Sequence, residues 1–216
     1  MKRFRAFTLA EVLITLGIIG VVSAMTLGTL IHNYKVMVAK NQFKKTYSTI
    51  SNALNLSVQE FGENVQCYYA SSSGARTDCK DFYENYLFKN FKVAKYCNKN
   101  AFAQGCVPDY KEEDFPSVAG CGGFSAGTIK SNARVVLLAD GSTIFPYHDG
   151  GNYFPIIGFD TNGFKGPNVA GVDVFSIRIS KSNNSIPILA KTRGVIDNCM
   201  SNTSKKYFSN FSNIYK

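Results

Sequence analysis

Apolar positions are unevenly spread along the 216-residue chain. From Val12 to Tyr34 the sequence reads VLITLGIIGVVSAMTLGTLIHNY, without one Asp, Glu, Lys or Arg. A helix rises about 1.5 Å per residue, so about 20 such residues cross a hydrocarbon core of about 30 Å. The run therefore predicts a bilayer span, a secretory signal or a buried core helix. A terminal helix apolar on every face needs a large protein to bury it, which disfavours the third choice. Beyond Tyr34 the pattern changes but the helix does not stop. Residues 35–61 hold no Pro or Gly, and Phe43, Tyr47, Ile50, Leu54, Val58 and Phe61 recur at steps of three and four. That is the period of an amphipathic helix. Lys40, Lys44 and Lys45 fall on its other faces. One helix from Thr8 to about Phe61 is predicted, with about 9–31 in the membrane and Gly62 as its stop. Two helices with a break near Gly28–Asn33 are the alternative.

The remainder, 62–216, reads as a head. Its first part, 67–127, is loop-rich, with Ser71-Ser72-Ser73-Gly74 as a connection and a short helix expected over Asp81–Lys95. Phe82, Tyr86 and Phe91 are expected to face inward. Strands follow. Arg134–Ala139 and Ser142–Tyr147 flank Asp140-Gly141, a strong hairpin signal. Pro146 is expected at an edge or a strand end. Tyr153–Asp160, Val172–Ser180 and Ile186–Ala190 are further strand candidates, and Phe175, Ile177 and Ile179 are expected to face the long helix. The fold class is α+β, a long N-terminal helix packed on a small antiparallel sheet spanning about 133–190.

Composition sharpens this picture at the N-terminus. Of the net charge of +9, three positive charges come from Lys2, Arg3 and Arg5. This basic flank should stay cytoplasmic and send the head outside. Glu11 does not fit a plain anchor, because a carboxylate at the end of a span is costly unless paired. An ordinary signal peptide cut after Val22-Ser23-Ala24, giving Met25 as the mature residue, competes with the anchor reading but leaves Glu11 unexplained.

The string RAFTLAEVLITLGIIGVVSA resembles the class III signal of type IV pilins and of type II secretion pseudopilins. In that family a short basic leader ends in a small residue, followed by Phe-Thr-Leu-x-Glu and an apolar run. Here the match is Ala6, Phe7, Thr8, Leu9, Ala10 and Glu11. The departure is Ala6, where the family usually has Gly. The resemblance implies a leader of residues 1–6, removed by a prepilin peptidase between Ala6 and Phe7, and methylation of the Phe7 amine. It further implies that the Glu11 carboxylate of one subunit meets the Phe7 amine of a neighbour. The subunit would dock on an inner-membrane assembly platform and join copies of itself or related pilins in a helical filament. The expected function is a structural subunit, held in the inner membrane with its head outside and then incorporated into a filament in the periplasm or at the cell surface. A membrane-anchored or secreted binding domain is the alternative.

Other chemistry is sparse. Cys67, Cys79, Cys97, Cys106, Cys121 and Cys199 form no CxxC pair, and an even count outside the cytoplasm favours disulfides over zinc. Six cysteines allow 15 connectivities. Pairing neighbours gives Cys67–Cys79, Cys97–Cys106 and Cys121–Cys199, with free buried thiols as the alternative. Asp160, Asn162, Asn168 and Asp173 share one Gly-rich loop, and calcium prefers six to eight oxygens. Some major pseudopilins have a calcium-stabilised loop in this part of the head. Asx side chains capping their own backbone are the other reading of this loop. No cofactor is otherwise expected. His32 and His148 belong to no nucleophile constellation, and no phosphate loop is present, so no catalytic residue is assigned. Lys205 and Lys206 beside Tyr207, Phe208, Phe211 and Tyr215 interleave cations and aromatics, yet a tail packing on the head is favoured over nucleic-acid binding.

Overall fold

The computed structural model describes residues 8–61, 82–115, 124–147, 156–181 and 187–189. Helix α1 runs unbroken over Leu9–Phe61. Strands β1 (Val93–Cys97), β2 (Val135–Leu138), β3 (Thr143–Tyr147), β4 (Ile156–Asp160), β5 (Val174–Lys181) and β6 (Pro187–Leu189) form one antiparallel sheet in sequence order. A short helix α2 (Ala126–Ser131) and helical turns at Phe82–Leu87 and Phe88–Asn90 complete the head. The chain divides into two compact units, Met1–Val38 and Ala39–Lys216.

In the second unit the sheet is covered on both faces. On one face α1 buries Phe43, Ile50, Ala53 and Leu54. The Phe43 ring lies 4.7 Å from Phe175 and 5.7 Å from Phe159, centroid to centroid. Phe159 and Phe175 are directly opposite on β4 and β5, so this aromatic triad spans helix and sheet. Two small polar residues, Thr46 and Ser57, are buried on the same helix face. Ser57 Oγ sits between the carbonyls of Ala53 and Tyr86 and accepts from Asn90 Nδ2, which satisfies a hydroxyl that burial would otherwise penalise. At the hairpin, Lys45 pairs with Asp140 at 2.8 Å.

The opposite face packs under a cap made from 97–115 and 124–129. Cys97, Cys106, Val107, Tyr110, Phe115, Phe124 and Ile129 form one apolar cluster with Val135, Phe145, Ile156 and Val174 of the sheet. All five residues of β4 are buried, because that strand has a layer on each side. A disulfide joins Cys97 to Cys106 inside this cluster. Cys67, Cys79, Cys121 and Cys199 lie outside the described residues, as do Ser71–Gly74, His148, the start of the Tyr153–Asp160 candidate and the Lys205–Tyr215 tail.

Three expectations need correction. The helix expected over Asp81–Lys95 ends at Asn90, and Val93–Cys97 is strand β1, so the sheet begins some forty residues before the expected 133. Lys89, Lys92 and Lys95 have helical spacing, but pairing of Tyr96 with Val136 and Cys97 with Val135 prevails. Lys89 and Lys92 instead precede, and Lys95 lies within, a strand that is outermost among the described residues and whose register shifts between Val93 and Lys95, a charged and irregular edge that discourages pairing with other chains. Of the three residues expected to face inward, Phe82 and Phe91 are buried and Tyr86 only half so, while Tyr83, Leu87 and Phe88 are buried as well. Pro146 lies in β3, an inner strand. The β2–β3 pairs are Val136–Ile144 and Leu137–Thr143, so Pro146 stands past their end and its missing N–H costs no ladder bond. Its carbonyl accepts from Asn132 Nδ2 at 2.6 Å.

Gly158 explains how β3 and β4 fit. Phe145, its cross-strand partner, lies across the glycine, and a Cβ there would meet the ring at 2.0 Å. Gly158→Ala should therefore lower unfolding stability by about 2–3 kcal/mol through overpacking. Combining it with Phe145→Leu should restore part of the loss. Chemical denaturation of the detergent-solubilised chain reads both, and an unchanged midpoint for Gly158→Ala would show that the ring moves aside freely.

Candidate functional site

The first site is the start of α1. Thr8 stands just outside the helix, and its carbonyl accepts from Val12 N–H at 3.3 Å. Its hydroxyl oxygen accepts from Glu11 N–H at 3.3 Å. In return Glu11 Oε2 accepts from the Thr8 amide and the Thr8 hydroxyl, each at 2.8 Å. These reciprocal bonds form a capping box, which satisfies helix-terminal N–H groups that have no partner within the helix. The pattern Thr-x-x-Glu was legible in the sequence, but the family resemblance drew attention to a partner on another subunit. Ala6 and Phe7 lie outside the described residues.

Beyond Glu11, every side chain from Thr8 to Lys35 is exposed. The helix is long and apolar enough to cross a membrane. Its hydroxyls suit that role. Thr15 donates to the Val12 carbonyl at 2.9 Å and Thr26 to the Val22 carbonyl at 2.9 Å. A hydroxyl folded onto its own helix leaves no unmet donor in lipid.

The second site is the loop between β4 and β5, which contains the four residues considered for calcium. Asp160 and Asp173 are both buried. Asp160 Oδ1 accepts from the amides of Asn162 at 3.0 Å and Gly163 at 2.7 Å, and Oδ2 accepts from the Tyr110 hydroxyl at 2.7 Å. Asp173 Oδ2 accepts from Asn168 N–H at 2.8 Å and Oδ1 from Val169 N–H at 2.7 Å. Each carboxylate thus caps the chain beside it. Backbone conformation supports the turn: Gly163 has φ +56°, Asn168 +63° and Gly171 +83°, values that Gly and Asn adopt at little cost. Among the described residues no group donates to Asn162 Oδ1 or Asn168 Oδ1. Those two amide oxygens are too few for calcium, and all four carboxylate oxygens already face N–H or O–H donors. Among the described residues no group of three or more His, Cys, Asp and Glu could hold a metal ion. The residues do not fit a calcium site in this arrangement.

Burial dominates the electrostatics of this loop. Loss of water, then the Asp173 charge, push the Asp160 carboxyl up to about 8. Loss of water likewise raises Asp173 above the ordinary range, against the pull of the Asn168 and Val169 amides. Tyr110 is raised well above 10, first by burial and then by the Asp160 charge.

Comparison with known families bears on the first site. Residues 1–27 match the prokaryotic N-terminal methylation motif. This is the class III prepilin signal of type IV pilins and pseudopilins. Residues 29–111 match a family of unknown function, DUF6613. No curated protein and no solved structure matches the chain. The motif supports a pilin-like class, and a long helix with an antiparallel sheet gives the chain an α+β layout.

The buried acids predict an uncommon pH dependence. Their folded carboxyls hold protons more tightly than the ordinary 3.8, Asp160 to about 8. Between about pH 4 and 8 the folded chain therefore carries more protons than the unfolded one, and stability falls as pH rises through that window. Melting temperature measured across it should decline toward alkaline pH, and Asp160→Asn should flatten the slope. A melting temperature that rises from pH 5 to 8 would contradict the burial argument.

Proposed function

We propose that the chain is a structural subunit of a type IV pilus-like filament, either a type II secretion pseudopilin or a type IV pilin. The observation that supports this best is the methylation motif on a helix whose apolar half is bare. The class III signal would be cut on the cytoplasmic side between Ala6 and Phe7, leaving the Phe7 amine at the helix start. The subunit would then wait in the inner membrane by its α1 span, head outside, until an assembly platform transfers it to the filament. There, α1 helices would exchange lipid for one another. Glu11 would meet the Phe7 amine of the next subunit, and pairing two charges in low dielectric would favour docking and set the axial register. The head carries no assigned catalysis and would form the outer surface. Its role is mechanical in this reading, with prepilin peptidase and other pilins as partners.

Two measurements test this. Mass spectrometry of the mature chain should find an N-methylated Phe7, whereas Met25 at the N-terminus would point to an ordinary secreted domain. Glu11→Ala should leave membrane insertion intact and reduce filament yield by tenfold or more, on the scale of losing a buried ion pair at about 3 kcal/mol. Filaments at normal yield from that variant would remove Glu11 from assembly.

The β4–β5 loop closes on its own backbone in this reading and needs no cation. Millimolar calcium should then leave the melting temperature unchanged. A calcium-dependent rise that Asp160→Ala abolishes would reverse that assignment.

A further inference from the structure

One end of the head gathers lysines around an exposed aromatic ring. Phe43 of α1 packs on Phe159 and Phe175, near the Asp160 end of β4. Further along α1, Ser57 meets the carbonyl of Tyr86, in the turn whose Tyr83 hydroxyl donates to Ile156 at the other end of β4. The head's part of α1 therefore begins at the Asp160 end of the sheet. Lys45 reaches the β2–β3 turn there and pairs with Asp140. The β4–β5 turn lies against that hairpin, since a Cβ on Gly163 would collide with the Gly141 carbonyl. The Lys92 carbonyl accepts from Ala139 N–H at 2.9 Å beside the same hairpin. Lys44, Lys92 and Lys165 are exposed and Lys40 is half-buried. Next to Lys165, Phe164 is 56% exposed, on a turn that the Asp160 carboxylate fixes through Gly163 N–H. We propose that this end of the head is a membrane-binding face: Phe164 enters the headgroup zone of the adjoining leaflet, and Lys40, Lys44, Lys92 and Lys165 meet the phosphates of anionic phospholipids. The inference rests on the reading of α1 as a membrane span, and not on the filament.

Chain length supplies the partner. Tyr34 closes the uncharged run and Ala39 opens the head unit, so five residues join them. Even fully extended, five residues reach at most about 18 Å. The polar zone of a bilayer is itself about 5–7 Å deep on each side, so this end of the head stays within reach of lipid phosphates. Charge supplies the selectivity. Beyond the Lys45–Asp140 pair, four lysines face the same way out of the sheet's end, and lysine stems can lie along apolar surface while the ammonium groups reach phosphate. Glu112 and Glu113 belong to the cap flank, which joins the loop where the Asp114 carbonyl accepts from Ala170 N–H at 3.0 Å. Shape favours a plane over a small anion. Lys92 precedes β1 and Lys165 lies between β4 and β5, at least three strand spacings apart, or about 14 Å. No single small anion spans that width, whereas a bilayer surface meets every cation at once. Phe164 sits on a turn already held by its own backbone bonds, so insertion has little left to order.

The chain has no Trp, so Phe164→Trp installs a single fluorescent reporter at an exposed position. Full-length Phe164→Trp is reconstituted in vesicles of phosphatidylcholine alone or of an equal mixture with phosphatidylglycerol, each with and without acyl-brominated lipid. Flotation of the vesicles at alkaline pH reads insertion of the span. In the phosphatidylglycerol mixture the emission should shift to the blue and be quenched by brominated lipid, and both effects should weaken in phosphatidylcholine alone. Adding Lys40→Gln, Lys44→Gln, Lys92→Gln and Lys165→Gln should lower the contact equilibrium more than a hundredfold, at about fivefold per lysine, and remove the quenching. Flotation and circular dichroism of that variant should match those of Phe164→Trp alone. Quenching that ignores phosphatidylglycerol, or that survives loss of the four lysines, overturns the proposal, and so does emission that stays at its solvent position in every vesicle. A blue shift that follows the protein-to-lipid ratio instead of phosphatidylglycerol content identifies a second head as the partner and overturns it as well. Flotation keeps the two levels apart. A chain that does not float with the vesicles removes the membrane span and the proposal with it, whereas a chain that floats without quenching removes the binding face alone.

Discussion

The apolar half of α1 has no cover within the described chain, and everything the N-terminus does follows from that. Side chains from Val12 to Tyr34 include no Asp, Glu, Lys or Arg and are exposed. In water such a surface would associate at once, so it calls for lipid or for other helices. Lipid and a bundle of like helices accept the same surface, because both are apolar and neither offers hydrogen bonds. A membrane segment can therefore double as an assembly element with no change of sequence. The polar residues along it are compatible with both media. Thr15 and Thr26 return their hydroxyls to the helix, and Glu11 is held by Thr8.

The head solves a different problem with different means. Its sheet has layers on both faces, α1 on one and the disulfide-clipped cap on the other. Buried strands lose the alternation of a half-exposed sheet, and β4 is apolar except at Gly158, which makes room for Phe145, and at Asp160. Buried polar groups survive there because donors were built for them. Asp160 and Asp173 fix the ends of one loop, and Tyr110 ties the cap to that loop through Asp160. The cost is two acids kept from water close to one another, which raises both and ties stability to pH.

Much of this was legible residue by residue. The three-and-four spacing marked α1 past the span, and Asp140-Gly141 marked the β2–β3 turn, where Gly141 has φ +89°. Alternation marked β5. Strand β1 was not legible, because Lys89, Lys92 and Lys95 imitate a helical face and the strand's own side chains are mostly exposed. Pro146 was read as an edge signal, and locally it is one, since the β2 ladder stops before it. The loop acids were recognised as one constellation, but whether their oxygens served a cation or the backbone depended on atoms that spacing does not place.

The sequence by itself determined the bare helix, its charge asymmetry and the methylation motif, since these depend on local order and composition. A run of apolar residues is apolar wherever it lies. Only the tertiary structure decided which carboxylates are buried and which strand joins the sheet first. Those depend on contacts between residues such as Tyr110 and Asp160, or Tyr96 and Val136, that are far apart along the chain. Close in space, such groups change one another's hydration and charge, and that is what converts a list of residues into a site.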